Sequence, residues 1–156
     1  MIINTAMIED IVAKINFATY TSTDQQYIAI YQGVQPSQSA FNSAWSTNYF
    51  IQKSDNTVGS DVLAIYGPSL QLGSSGNSIY LNTAGTSAYH ADGTATWAVI
   101  LQVPASLESS TDPTTLKYII CDVSNAAGTG IVKVDSTTVS GSAPTLTDVN
   151  ITLGAA

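Results

Sequence analysis

Hydrophobic and polar positions along the chain change rhythm once. Near the start, Ile8, Ile11, Val12 and Ile15 recur at i, i+3, i+4 and i+7, which places them on one stripe of a helix over residues 4–16. Asn4 or Thr5 can cap its first turn, and Glu9 and Asp10 suit the positive end of the helix dipole. A helix of about three turns is marginal alone in water, so this segment is expected as an N-terminal helix or arm docked on the sheet or on a neighbouring subunit.

Further along, the period becomes two. The expected strands are Gln26 to Gln32, Asp61 to Tyr66, Ser78 to Asn82, Thr94 to Val103, Leu116 to Val123, Thr129 to Asp135 and Thr145 to Leu153. The stretches between them, such as "GVQPSQS", "KSDNTVGS" and "SNAAGTG", are rich in turn-forming Gly, Pro, Ser, Asn and Asp. About seven or eight short strands with short connections predict a mainly β fold, an antiparallel β-sandwich of Ig-like or jelly-roll type, with residues 1–156 as one domain.

The stretch "TATWAVILQV" sharpens this expectation. Ala95, Trp97, Val99, Leu101 and Val103 share a wholly apolar face that should point into the core. Thr94, Thr96, Ala98, Ile100 and Gln102 share a mixed face, on which Ile100 is the one large apolar residue and marks cover by a helix, a loop or another chain. In "AFNSAWSTNYF", Phe41, Trp45 and Tyr49 recur every four residues, as on a short helix, yet helix-poor Asn, Ser and Thr surround them and fit an aromatic-anchored loop equally well. Such rings can fill a core, anchor a subunit contact or stack on a sugar. The candidate interface residues are therefore Ile8, Ile11, Ile15, Phe41, Trp45, Tyr49 and Ile100, and a carbohydrate-binding or receptor-binding reading would use Trp45, Tyr49 and Tyr89.

Composition narrows the classes of function. Hydrophobic residues make up 44% of the chain and charged residues 10%, well below the roughly 25% charged residues of an average soluble domain. Ser, Thr, Asn, Gln and Gly, or other subunits, must cover the surface. The four basic residues, Lys14, Lys53, Lys117 and Lys133, are scattered against eleven carboxylates, giving a net charge of −7. Gripping a phosphate backbone needs clustered cations, so nucleic acid is not an expected partner. No apolar run approaches the about 20 residues that span a membrane, and Glu9 and Asp10 interrupt what a signal peptide would keep apolar. The chain is expected to be soluble and not exported by the usual route.

Candidate chemistry is sparse. Cys121, the one cysteine, lies in the apolar run "KYIICDV", where it behaves as a small buried hydrophobe, and the one histidine, His90, is distant in sequence. Asp122 and Asn125 in "CDVSN" and Asp112 in "STDP" do not form the spaced acidic loop that supplies calcium with about six to eight oxygens. Glu9 and Glu108 are the only glutamates, most aspartates fall in turns, and no Gly-x-Ser-x-Gly elbow occurs. No catalytic, cofactor-binding or metal residues are expected, and the protein is read as a non-enzyme.

A family resemblance gives this reading its direction. "QYIAIYQGVQPS" resembles the strand followed by Gly-x-Gln-Pro that opens many small bacteriophage virion proteins, and "ADGTATWAVIL" resembles their central Gly-Thr-Ala-x-Trp strand. The tail, "IICDVSNAAGTGIVKVDSTTVSGSAPTLTDVNITLGA", is similar to their ending of two strands, a Thr-rich turn and a last alternating strand. The likeness covers residues 26–36 and about 90–155 in order; it breaks between Pro36 and Gly59 and at "PASLESSTDPTT". It implies a non-enzymatic virion structural protein: a capsid cement or decoration protein or, alternatively, a tail, neck or head-fibre component. Such a protein would be made in the host bacterial cytoplasm and function in the virion, with itself as a homo-oligomer and the major capsid or other virion proteins as partners.

Overall fold

The structure, a computed structural model, describes residues 2–3, 24–51, 58–68, 70–75, 78–104 and 113–152. The helix expected over 4–16, with Ile8, Ile11 and Ile15, lies outside the described residues, as do Glu9, Glu108 and Asp112. In chain order the elements are β1 (Ile2–Ile3), β2 (Asp24–Tyr31), helix α1 (Gln38–Ala44) running into a π-helical turn (Trp45–Tyr49), β3 (Val62–Tyr66), β4 (Gln71–Ser75), β5 (Ser78–Thr83), β6 (Ser87–Tyr89), β7 (Gly93–Thr94), β8 (Trp97–Pro104), a 3-10 turn (Pro113–Thr115), β9 (Lys117–Asn125), β10 (Val132–Val134), β11 (Thr138–Val139) and β12 (Leu146–Thr152). The fold is mainly β, as expected.

One large curled sheet runs in the order β4-β5-β12-β10-β9-β8-β2-β3-β6, with β1 against β9 and with β7 and β11 forming a separate two-stranded ribbon. The sheet is mixed, which corrects the expectation of a purely antiparallel one. β10 runs parallel to β9, pairing Val132 with Val123 and Val134 with Asn125. Parallel neighbours ordinarily need a crossover of about a dozen residues or more, but here a short loop over residues 126–131 brings the chain round to the level of Val123. The Gly128 N–H donates to the Asn125 carbonyl (2.9 Å) and the Gly130 N–H to Ser124 Oγ (3.0 Å), drawing the loop onto the end of β9. A Cβ at Gly130 would lie 2.8 Å from the Ser124 backbone nitrogen, so the return path requires glycine there.

The central strands set the layers. β2 and β8 pair from Asp24↔Pro104 to Tyr31↔Trp97, and β8 pairs in turn with β9. Alternation then sends rows of side chains to opposite faces: Ile28, Ile100 and Ile119 lie side by side on one, Ala29, Val99 and Ile120 on the other. All six are fully buried. The first row packs with Ile79, Val132, Val149 and Ile151 from the far end of the strand order, so the curled sheet closes over an aliphatic core. Two buried hydrogen bonds join its ends across that core: Gln26 Oε1 accepts from the Leu72 N–H (3.0 Å), and the Tyr66 hydroxyl donates to the Pro144 carbonyl (2.8 Å).

The second row is covered by α1. Ser37 caps this short helix, its Oγ accepting from the Ala40 N–H at 3.2 Å. Seven residues are too few for propensity to hold them, so packing of Phe41 and Trp45 against the sheet does so. A four-residue spacing drifts around an α-helix of about 3.6 residues per turn. The wider π-helical turn, closed by the Phe50 N–H on the Trp45 carbonyl (2.8 Å), brings Tyr49 back over Phe41, with the two rings stacked 5.3 Å apart.

Candidate functional site

Six aromatic rings meet between α1 and the central strands: Tyr31, Phe41, Trp45, Tyr49, Trp97 and Tyr118. Tyr31 and Trp97 are cross-strand partners whose rings stack at 4.2 Å and 10°. Tyr49 meets Tyr31 and Trp97 edge-on, at 5.7 and 5.2 Å. Three of the polar handles have named acceptors: Trp97 Nε1 donates to the Gln32 carbonyl (3.1 Å), the Tyr31 hydroxyl to the Tyr49 carbonyl (2.8 Å) and the Tyr118 hydroxyl to Asn42 Oδ1 (2.6 Å). Burial, with the nearby Tyr49, pushes the Tyr31 hydroxyl far above its ordinary range, and burial likewise raises Tyr118. These hydroxyls stay protonated and serve as fixed donors.

This geometry corrects the expectation of an aromatic contact surface. Phe41 is 0% exposed and Trp45 1%, because β2, β8 and β9 present a second apolar face against which these rings pack. Trp45 therefore offers no face to a sugar, and the Trp45, Tyr49 and Tyr89 constellation does not assemble: Tyr49 is half-buried among the rings, while Tyr89 is exposed on the edge strand β6, where it pairs with Ala64 of the aliphatic core. Ile100 is also corrected. It is 0% exposed in the aliphatic core, where strands distant in sequence supply the cover once assigned to a partner.

The remaining chemistry-bearing groups separate. Cys121 is buried in the aliphatic core, its Sγ 3.8 Å from the Ala98 carbonyl, and burial together with the Asp122 carboxylate pushes its thiol up to about 12. It is not a thiolate at neutral pH. His90 is half-buried with an enclosed Nε2 that meets no hydrogen-bond partner, and burial lowers its pKa. Among the described residues, no three His, Cys, Asp or Glu side chains gather as a metal site.

Described aspartates fasten loops. Asp92 Oδ1 accepts from the Tyr89 hydroxyl (2.7 Å) and the Gly141 N–H (2.8 Å), bonds that hold its carboxyl below its ordinary value. Asp135 accepts from the Thr145 N–H at 2.8 Å and is lowered chiefly by its bonds from Thr145. Asp61 receives Asn48 Nδ2 and Ser60 Oγ, both at 3.1 Å, and so ties β3 to the π-helical turn. Among the described residues, Val34, Tyr80 and Tyr89 are the large apolar or aromatic side chains left exposed. Tyr80 was not among the sequence candidates; one tyrosine in "NSIYLN" carries no signal until its cross-strand neighbours are known.

No protein family, no curated protein and no solved structure matches this chain.

Proposed function

We propose that the chain is a non-enzymatic bacteriophage virion structural protein, a capsid cement or decoration subunit that self-associates and binds the shell. The observation that supports this reading joins the resemblance to the topology. The matched residues, 26–36 and about 90–155, supply β2, β8, β9, β10 and β12, which are adjacent in the sheet order β12-β10-β9-β8-β2. Of the unmatched strands, β4, β5, β3 and β6 lie at the two ends of that block and the two-residue β1 lies against β9, while unmatched α1 caps one of its faces. A common framework with variable margins is the pattern a family of structural subunits would keep, since variation at margins leaves the buried centre intact.

We further read the curled sheet as a sandwich in the making: its two ends face each other across the aliphatic core, as two packed sheets would. A rigid centre buried on both faces supports a static role, because the side chains in it are engaged in packing and in fixed hydrogen bonds. Contacts with a shell would then come from the sheet margins and loops.

Two measurements on the purified chain test this. Light scattering after size exclusion should give a homo-oligomer, and the protein should co-sediment with heads or assembled major-capsid shells of the phage whose genome encodes it. A monomer that binds no particle or structural subunit overturns the proposal. Binding to tails or necks, with none to the shell, moves the protein from the capsid to those parts of the virion.

A further inference from the structure

Tyr80 projects from the outer face of the sheet, on β5, with Gly73 of β4 opposite it on one side and Asn150 of β12 on the other. A Cβ built on Gly73 would lie 2.6 Å from Tyr80 Cζ and 2.8 Å from its hydroxyl, so the ring occupies the volume that a side chain at Gly73 would take. It is laid against the neighbouring strand, yet 41% of the residue remains exposed. Such a ring has already lost much of its rotamer freedom on folding and loses little more when something stacks on it.

The surroundings select the ligand. Asn82 and Ser78 flank Tyr80 along β5, and Thr152 flanks Asn150 along β12; Asn82, Asn150 and Thr152 are exposed. Ser78 and Thr152 hydroxyls lie 3.4 Å apart across the pair. Among the described residues, Asp148 of β12 shares this face two positions before Asn150 and is the cross-strand partner of Lys133 of β10. The ring itself is bordered by amides and hydroxyls.

A protein partner would want that ring within an apolar, water-excluding surround, which these polar neighbours do not provide. A pyranose has the complementary chemistry: an apolar C–H face for the ring and hydroxyls that both donate to and accept from Asn and Ser/Thr. We propose that the outer face of β4, β5 and β12 is a binding platform for a neutral polysaccharide, with Tyr80 as the stacking residue and Asn150 and Asn82 as hydrogen-bonding neighbours. This site is independent of the shell-binding role proposed above.

Native gel electrophoresis through dextran, hydroxyethylcellulose or galactomannan tests the platform. The expected result is retardation of the whole protein by at least one of these polymers, weakened about tenfold in Tyr80→Ala, as for loss of one stacked ring, and kept in Tyr80→Trp. Circular dichroism establishes that each variant folds. Should Tyr80→Ala uncover Gly73 and unfold, Asn150→Ala, at an exposed position, carries the test and should weaken retardation. Absence of retardation in all three gels overturns the proposal, as does retardation unchanged in a folded Tyr80→Ala or in Asn150→Ala. A Tyr80→Ala protein that changes oligomeric state without losing retardation also overturns it.

Discussion

The two cores flanking the central strands use different chemistry. The one enclosed by the curled sheet is built chiefly from Ile, Leu, Val and Ala, with Tyr66 its large aromatic; the one beneath α1 sets buried Tyr, Phe and Trp rings among its aliphatic residues. The aliphatic core can rely on alternation, because facing strands supply a continuous apolar surface. The aromatic core must hold a seven-residue helix in a single place, and hydrogen bonds from Trp97, Tyr31 and Tyr118 to Gln32, Tyr49 and Asn42 give it an orientation that apolar contact alone would not. On the aliphatic side the directional bonds, from Leu72 to Gln26 and from Tyr66 to Pro144, join the ends of the sheet; on the other side they orient the helix.

Substitutions can separate the two. The largest effect is expected from Trp97→Ala, which removes a buried ring at the centre of the aromatic cluster and should cost about 3–5 kcal/mol, with loss of near-ultraviolet dichroism and faster proteolysis across residues 41–49. Ile100→Ala should cost about 2–4 kcal/mol in urea unfolding, while residues 41–49 stay protected in the folded state. If both variants release α1 equally, the cores are not separable. Tyr31→Phe and Tyr66→Phe each leave a carbonyl, half-buried in the first case and buried in the second, without its donor and should cost about 1–2 kcal/mol, with only the first loosening the π-helical turn.

The smallest effect concerns pH. Burial lowers the His90 pKa from its ordinary 6.5, so the unfolded chain takes up the proton first and the fold loses stability as pH falls below that value. Urea midpoints at about pH 7.5 and about pH 5.5 should differ in the native protein and differ less in His90→Gln.

Much of the sheet was legible because alternation is a local property. "TATWAVILQV" disclosed a strand and the inward direction of Trp97, although its first residue, Thr94, belongs to β7, which pairs with β11, and Ala95 and Thr96 separate β7 from β8. What covers a strand's second face is not local. Ile100 read as a partner contact because its cover, including Val132, Val149 and Ile151, comes from strands whose position depends on how the sheet curls. β4 was missed since "QLGSS" is small and polar, and its pairing with β5, with Tyr80 laid over Gly73, gives it the packing that its own side chains lack. The helix signal at Phe41, Trp45 and Tyr49 was correct in spacing and undecided in type, because Asn and Ser disfavour a helix that only tertiary packing retains. The same nonlocal packing turned expected interface rings into interior ones and left Tyr80 outside.

The central claim is that β8 forms a wall covered on both faces by its own chain. Amide hydrogen exchange along Trp97–Pro104, measured over a hundredfold dilution of the free protein, tests it most directly. The account predicts that the interior of this strand is among the slowest-exchanging segments at every concentration. Exchange that is rapid in dilute protein and slows as copies associate would contradict it, because a second chain would then be covering the face that carries Ile100.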